Sequence, residues 1–331
     1  MINIIGGSGF VGTRLCSLLK SHDLSFMIFD KVLSQKFSDE TFVADVRSVD
    51  ALNLAIADEY AESTIVNLAA EHRDDVTPLS LYHDVNVQGA INICHVARNK
   101  KVQRIIFTST VAVYGFAPMN TDESGEIAPF NEYGKTKFEA ETIFKAWQQE
   151  EPNKRTLTII RPTVIFGEQN RGNVYNLLKQ IASSNFLMVG NGLNRKSLAY
   201  VGNVAAFICF SLSFKPGIHI YNYVDKPDFT MNDLIIWVKG LLGKPEKIRL
   251  RLPYSLGLMI GSSFDLLGKV VHRKFPISSI RVKKFCANSV YSSAVNFTGF
   301  VPPIPLKEAI EKTIEYEFMQ DNQNNQIFFS E

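Results

Sequence analysis

The chain opens with Met1-Ile2-Asn3-Ile4-Ile5-Gly6-Gly7-Ser8-Gly9-Phe10-Val11-Gly12, an apolar run that leads into a glycine-rich turn. This spacing of glycines is typical of the turn between the first strand and the first helix of a dinucleotide-binding fold. Glycine permits the tight turn and lets the backbone approach a pyrophosphate, and the N-terminus of the following helix attracts that anion. The sequence therefore predicts that the turn binds a dinucleotide through Gly6, Gly9, Phe10, Val11 and Gly12.

The next apolar run, 26–29, ends at Asp30, which lies 18 residues after Gly12. An acid at this position suits the adenosine ribose diol and repels a 2′-phosphate, so the predicted cofactor is NAD rather than NADP. The neighbouring Lys31, also expected at the cofactor, weakens that preference slightly.

Strand-like and helix-like segments alternate along the first half of the chain. We predict strands at 2–5, 26–29, 64–68, 104–108 and 156–160, and helices at 10–20, 48–60, 80–99 and 133–150. This alternation indicates an α/β fold, a Rossmann-type doubly wound parallel sheet whose site lies at the carboxyl ends of its strands. We expect an NAD-binding domain at 1–167 and a smaller C-terminal α/β substrate lobe at 168–331, with some later elements free to rejoin the sheet.

A tyrosine and a lysine lie four residues apart in Tyr133-Gly134-Lys135-Thr136-Lys137, and Thr110 precedes them by 23 residues. Residues four apart share one face of a helix. An ammonium beside a phenol favours the phenolate, so Lys137 is expected to lower the pKa of Tyr133 toward neutrality. Such a base takes a proton from a sugar hydroxyl while hydride leaves the same carbon.

Composition excludes several other classes of protein. The chain has 331 residues and a formal net charge of only +2, so nothing global indicates a nucleic-acid partner. Its four cysteines are far apart and show neither metal-ligand nor disulfide spacing, which favours reduced thiols in a cytoplasmic protein. A strand that begins at residue 2 leaves no room for a signal peptide.

With these residues placed, the chain resembles the extended short-chain dehydrogenase/reductase family, in its nucleotide-sugar epimerase/dehydratase branch. The shared segments are Gly6-x-x-Gly9-x-x-Gly12, Asp30, Asp45-Val46, Asn67-Leu68-Ala69-Ala70, Thr108-Ser109-Thr110-x-x-Val113-Tyr114-Gly115, Tyr133-x-x-x-Lys137 and Arg161-Pro162. The resemblance implies that Thr110 hydrogen-bonds the reacting hydroxyl, that Tyr133 is the acid/base and that Lys137 holds the nicotinamide ribose. It also implies cofactor contacts from Asp45 and Val46, which flank the adenine, and from Leu68, Ala69, Ala70, Thr108 and Pro162.

One departure from the branch bears on the reaction. Sugar 4,6-dehydratases carry Asp-Glu directly after the catalytic threonine, as the acid and base for loss of water. This chain has Val111 and Ala112 there, which cannot exchange protons, so dehydration is disfavoured.

The chain is also similar to a narrower group of the branch, the 4-epimerases that interconvert GlcNAc and GalNAc on a diphospho-undecaprenol carrier in O-antigen (lipopolysaccharide) assembly. Segments 70–76, 84–89, 170–176, 221–227 and 278–286 carry this similarity. The resemblance implies a lipid-linked amino sugar as substrate and places Arg73, Asn86, Thr110, Asn173, Asn176 and Arg195 near it. The alternatives are a UDP-GlcNAc 4-epimerase, a UDP-4-keto-sugar reductase that consumes NAD(P)H, and a non-catalytic NAD-sensing protein.

Charge is concentrated in one segment. Residues 244–284 contain ten Lys/Arg and two acids, and the apolar run Tyr254–Val271 lies between the basic clusters. Asp265 and Lys269 argue against a membrane span. Two interpretations remain open: a helix lying in the interface of the bacterial inner membrane, on its cytoplasmic side, and a core helix beside a sugar-diphosphate site. A homodimer is compatible with the sequence.

Overall fold

The computed structural model describes residues 1–56, 63–73, 76–183, 186–271, 278–322 and 325–329, apart from the side chains of residues 269 and 270. The strands are β1 (Ile2–Ile5), β2 (Phe26–Asp30), β3 (Thr41–Val43), β4 (Thr64–Asn67), β5 (Arg104–Thr108), β6 (Thr156–Pro162), β7 (Val164–Phe166), β8 (Leu187–Val189), β9 (Arg195–Tyr200), β10 (Gly217–Tyr223), β11 (Asp225–Thr230) and β12 (Leu250–Leu252). The helices are α1 (Phe10–Ser21), α2 (Val49–Ala55), α3 (Ser80–Tyr82), α4 (Gly89–Asn99), α5 (Glu132–Gln149), α6 (Asn173–Ala182), α7 (Val201–Phe210), α8 (Met231–Leu241), α9 (Tyr254–Val271), α10 (Ser279–Cys286) and α11 (Leu306–Phe318). The predicted end of the second helix, at 57–60, lies outside the described residues, as do Asp74, Asp75, Arg273 and Lys274.

A seven-stranded parallel sheet, in the order β10-β6-β5-β4-β1-β2-β3, organises the chain. The predicted fold class, a Rossmann-type parallel sheet, is confirmed. Strand β3 was not predicted, because its three residues are not buried and carry no apolar pattern that distinguishes them from a loop. The region predicted as one helix at 80–99 is helical throughout, but residues His83–Gln88 form a π-helical turn between α3 and α4.

Both faces of the sheet are covered by helices, which explains why central strands such as β1, β4 and β6 are buried along their whole length. One face packs against α2, α4 and α5 through residues such as Leu52, Ile93 and Phe144. The opposite face packs against α1 and α7, where Leu15 and Phe207 are fully buried. These two layers fix the carboxyl ends of the strands, and hence the loops that follow them.

Part of the second half returns to the sheet, since β10 pairs along its length with β6. The rest forms a three-stranded sheet, β11-β9-β7, and a two-stranded parallel pair, β12-β8. Helices α6, α8 and α11 share a core there, to which Leu178, Leu234 and Ile310 contribute. These smaller elements make up most of the predicted substrate lobe.

Candidate active site

A cleft of about 1170 Å³ runs along the carboxyl edge of the parallel sheet. Its walls are the loops that follow β1 to β6, and segments from beyond residue 167 close its far side. Arg73, Thr110 and Asn173, from the predicted substrate set, line this cleft. So does every residue predicted to bind the cofactor: Gly6, Gly9, Phe10, Val11, Gly12, Asp30, Lys31, Asp45, Val46, Leu68, Ala69, Ala70, Thr108, Tyr133, Lys137 and Pro162.

The glycine-rich turn lies directly against the loop that follows β4. Gly6 has a φ of +80°, and a Cβ atom built on it would lie 2.5 Å from the backbone nitrogen of Ala69. Neither the backbone conformation nor the space tolerates a side chain, so glycine is required at this position. The close approach of the two loops forms the floor of the cleft.

Two carboxylates lie at the dinucleotide end of the cleft. Asp30 accepts hydrogen bonds from the backbone N–H groups of Ser8 (3.0 Å) and Val32 (3.2 Å), and burial raises its pKa. The carboxylate is thus oriented by the loop that follows β1. Asp45 forms an ion pair with Arg47, with 2.6 Å between Oδ2 and Nη2, and the hydrogen bonds from that side chain lower its pKa.

The start of α5 brings Tyr133 next to Thr110. The side chain of Asn131 caps the helix by accepting from the backbone N–H of Gly134 at 2.9 Å. A Cβ atom on Gly134 would lie 2.7 Å from the carbonyl oxygen of Ala112, so only glycine lets the helix approach this turn. Thr110 caps that turn, since its hydroxyl accepts from the N–H of Ala112 at 3.1 Å, and the same hydroxyl hydrogen-bonds the phenol of Tyr133.

The protonation of the Tyr133–Lys137 pair differs from the sequence expectation. Burial raises the pKa of Tyr133 to about 12, and the hydrogen bond from Thr110 opposes this rise only in part. Burial also lowers the pKa of Lys137 to about 7, and the nearby Glu141 carboxylate does not reverse this effect. The prediction that Lys137 brings the phenol toward neutrality is therefore wrong for the protein alone, because both groups lose their hydration in the same buried site.

Beneath Thr110 and Tyr133 lies a fully connected buried network. Glu141 is completely buried and accepts from Arg161 Nε at 2.8 Å and Nη2 at 2.6 Å, and from the Ser109 hydroxyl at 2.6 Å. Arg161 Nη1 also donates to the Tyr114 hydroxyl at 2.6 Å, which in turn donates to Asn222 Oδ1 at 2.8 Å. This network ties α5, β6 and the segment around Thr110 into one rigid unit.

Three residues predicted to bind substrate do not line the cleft. The buried Asn86 accepts from the N–H of Glu71 at 2.9 Å and donates to the carbonyl of Glu71 and the hydroxyl of Thr136, both at 3.0 Å. It positions the loop that follows β4 rather than facing a ligand. Arg195 donates to the carbonyl of Asp228 at 2.8 Å outside the cleft, and Asn176 lies on the exposed side of α6.

The predicted substrate residue Arg73 lies in the cleft wall and forms an ion pair with Glu71 on both of its oxygens, at 3.0 and 3.1 Å. Asn173, at the first position of α6, is exposed to the cleft.

Sequence reasoning missed two groups that line the cleft. Lys196 Nζ donates to the carbonyl of Lys284 at 2.7 Å, and burial lowers the pKa of Lys196 to about 8. Residues Ile327–Phe329 also line the cleft, where the ring of Phe328 lies 5.8 Å from that of Phe10 and its backbone pairs with Gln169 and Arg171. The polar tail that precedes them, 321–326, carries no apolar pattern from which their position in the cleft wall could be predicted.

A model of the NAD dependent epimerase/dehydratase family matches residues 2–223. The chain belongs to this family. A relative from Escherichia coli O157:H7, N-acetyl-alpha-D-glucosaminyl-diphospho-ditrans,octacis-undecaprenol 4-epimerase, is 49% identical over 330 residues, which cover 99% of this chain and 98% of the relative. The resemblance drawn from the sequence motifs is thereby confirmed.

Solved structures support the fold at lower identity. The UDP-glucose 4-epimerase of Thermus thermophilus, in complex with NAD, superposes with a TM-score of 0.72 at 19% identity, over 95% of this chain and 98% of the other. The UDP-N-acetylglucosamine 4-epimerase of Methanobrevibacter ruminantium M1, in complex with UDP-N-acetylmuramic acid, superposes with a TM-score of 0.70 at 19% identity, over 95% and 97%.

The residues of the cleft fit the NAD on which the family depends. The glycine floor leaves room for a pyrophosphate, and the oriented Asp30 carboxylate suits a ribose diol. Lys137 is 2% exposed, and within the described part of the chain no carboxylate lies within ion-pair distance of its ammonium. A buried cation without an ion pair is suited to hydrogen-bond ribose hydroxyls. The cofactor, when bound, supplies the hydride acceptor at this end of the cleft.

Proposed function

We propose that this enzyme interconverts GlcNAc and GalNAc on a diphospho-undecaprenol carrier, through a 4-keto sugar. The observation that carries the proposal is the 49% identity, over nearly the full length, to a relative named for that substrate. The cleft is consistent with it, because Thr110, Tyr133 and Lys137 all line it, while Val111 and Ala112 offer no acid or base for loss of water.

In this mechanism Tyr133 accepts the proton of the sugar O4 hydroxyl, directly or through Thr110, as hydride leaves C4. The sugar then presents its opposite face and the same residues return the proton as hydride comes back, so net redox is zero. Because the phenol of Tyr133 has a raised pKa in the protein alone, it is a poor base until positive charge is near it. A protonated Lys137 would supply such charge, and so would a bound oxidised cofactor.

Replacement of Tyr133 by Phe tests the assignment. Tyr133→Phe should reduce turnover by about 10³-fold or more while NAD binding is retained, since only the proton acceptor is removed. Tyr175→Phe is the matched control, because Tyr175 stacks on Phe318 outside the cleft. Near-native epimerisation by Tyr133→Phe would show that another group transfers the proton.

The carrier and the reaction type are tested with two substrates and one cofactor. Purified enzyme is given UDP-GlcNAc and the lipid diphosphate sugar, each with and without added NADH. Conversion of the lipid-linked sugar without NADH is the expected result. Conversion of UDP-GlcNAc alone would indicate a UDP-GlcNAc 4-epimerase. No epimerisation of either sugar, together with stoichiometric oxidation of added NADH when a UDP-4-keto sugar is supplied, would indicate a 4-keto reductase.

We further propose that α9 lies at the surface of the inner membrane. Its outward side carries Met259 (60% exposed) and Leu266 (67% exposed), and the segment is flanked by basic residues. Among the described residues, no helix combines the length and apolarity that crossing a bilayer requires. An exposed apolar side with cationic flanks suits an anionic lipid surface.

Flotation with vesicles containing anionic lipid tests this proposal. Met259→Glu with Leu266→Glu should abolish co-flotation, whereas Leu54→Glu, at an 84% exposed leucine on α2, should not. Equal flotation of both variants would refute the assignment of α9 to the membrane surface.

A further inference from the structure

A second cavity, of about 890 Å³, adjoins the cleft. It lies where β8 and β12 end and α9 and α10 approach each other, and it shares Phe116 and Ala287 with the cleft wall. Phe116 stacks on Phe130 with ring centroids 4.8 Å apart, so an aromatic pair stands between the two spaces. A ligand long enough to occupy both spaces would therefore pass this pair.

Positive charge without a matching acid marks this cavity. The guanidinium of Arg251 donates to the carbonyl of Asn191 at 3.0 Å and to the side-chain oxygen of Asn232 at 2.9 Å. Both acceptors are neutral, so they orient the arginine without cancelling its charge. Lys283 of α10 adds a second cation, and no described residue that lines the cavity is acidic. An anionic ligand, and a diphosphate in particular, suits such a pair of cations.

The remaining wall is apolar and leads outward. Val189, Leu252 and Pro253 line the cavity, and Tyr254, the first residue of α9, completes it. The exposed side of α9 begins at this same residue, since Tyr254 is 42% exposed, and continues with Leu256. The cavity thus connects the polar cleft to the helix that we place at the membrane surface.

We propose that this cavity binds the diphosphate and the first isoprene units of a prenyl diphosphate. The inference rests on the proposed function and names the part of the site that recognises the lipid carrier. Arg251 and Lys283 neutralise the diphosphate, while the apolar wall accepts the hydrocarbon. The side chains of Asn191 and Asn194 are partly engaged within the protein, with Leu193 N and Phe285 O at 3.0 and 2.8 Å, so few polar groups remain to recognise a nucleobase.

Cysteine protection gives a readout that does not depend on turnover. Cys286 lines the cavity and is partly exposed, whereas Cys209 is partly exposed on α7 and serves as an internal control. The full-length, NAD-loaded enzyme is alkylated with iodoacetamide, alone or with farnesyl diphosphate, inorganic diphosphate or UDP, and each cysteine is followed by mass spectrometry. Saturating farnesyl diphosphate should slow alkylation of Cys286 by about fivefold or more, as expected when a ligand covers a thiol, and leave Cys209 unchanged.

Protection by inorganic diphosphate or UDP equal to that by farnesyl diphosphate would overturn the lipid assignment, and no protection of Cys286 would overturn the cavity as a ligand site.

A double variant tests the cations. Arg251→Gln with Lys283→Gln should weaken protection by farnesyl diphosphate about tenfold or more and raise KM for the prenyl-linked sugar similarly, the loss expected from two charged hydrogen bonds. The exposed Lys154→Gln is the matched control. Unchanged affinity in the double variant would refute the role of these two residues.

The experiments distinguish failure of the proposed function from failure of the inference about the second cavity. An enzyme that converts only UDP-GlcNAc would contradict the proposed function, whatever the footprint shows. An enzyme that converts the lipid-linked sugar, yet shows no protection of Cys286, would keep the proposed function and place the lipid carrier elsewhere.

Discussion

The buried ion pair between Glu141 and Arg161 allows a quantitative prediction. Glu141→Gln keeps the shape of the side chain but removes its charge, and it leaves Arg161, whose side chain is 3% exposed, as a buried cation without a counterion. Two unit charges about 4 Å apart interact by about 4 kcal/mol at an effective dielectric constant of 20. Loss of one partner of a buried pair costs about 3–5 kcal/mol in comparable cases. We therefore expect the free energy of unfolding to fall by about 4 kcal/mol.

Thermal unfolding of the NAD-saturated enzyme measures this loss. An unfolding entropy of about 2.1 cal/mol/K per residue gives about 0.7 kcal/mol/K for 331 residues, so Tm should fall by about 6 °C. Lys145→Met is the control, because Lys145 lies 3.7 Å from Glu141 at the edge of the network and should change Tm by less than about 2 °C. Turnover should also fall, since Ser109, next to Thr110, loses its carboxylate acceptor.

A double replacement separates the charge from the packing. Glu141→Leu with Arg161→Met removes both charges and keeps much of the side-chain volume. This double variant should be more stable than Glu141→Gln, because loss of both charges costs less free energy of unfolding than a single buried charge left without its partner. A Tm of Glu141→Gln within about 1 °C of the native value would refute the reasoning. So would a double variant less stable than Glu141→Gln.

Three further predictions follow from the site. Burial lowers the pKa of Lys137 from 10.5 to about 7, so between these pH values the unfolded chain binds one more proton than the folded protein, and the free energy of unfolding rises with pH. Lys137→Met removes this cost. In urea unfolding it should therefore stabilise the NAD-free protein by up to about 4 kcal/mol at pH 7 and by less at pH 9, while turnover is lost. An unchanged gain at both pH values would contradict the assigned pKa. Gly6→Ala should reduce NAD binding by at least about tenfold in a fluorescence titration, because its Cβ would collide with the backbone of Ala69 and its φ is positive. Phe328→Ala should speed NAD release several-fold in a chase with excess free nucleotide, since its ring packs against Phe10 at the cleft, and an unchanged release rate would show that the segment is not part of the cofactor wall.

The first half of the fold could be predicted because its signals are local. Apolar strands such as Ile2–Ile5 and Arg104–Thr108, each followed by a helical pattern, define a parallel sheet before any contact is known. The strands beyond residue 163 are divided between two small sheets and the edge of the main sheet, so their partners are set by tertiary packing rather than by a repeating pattern. The return of Gly217–Tyr223 to the edge of the main sheet is visible only in three dimensions.

The candidate site shows the same division. Motif spacing placed Tyr133, Lys137 and Thr110 together, but their pKa values depend on burial, which spacing does not report. Arg195 was predicted to bind substrate, but its neighbour Lys196 lines the cleft instead. Adjacent residues of a strand point to opposite faces, and the register of the strand decides which of the two side chains faces the cleft. The basic segment drew attention to a lipid, whereas the cavity beside it depends on how two helices and two short strands meet.

The position of β10 constrains how this enzyme can be re-engineered. A fragment that stops near residue 167 would leave the outer backbone groups of β6 unpaired, a template for intermolecular pairing and aggregation. Grafting the specificity of one homologue onto another therefore requires more than exchange of everything after that point. A workable chimera would keep Gly217–Tyr223 with the nucleotide-binding half and replace only the elements outside the seven-stranded sheet.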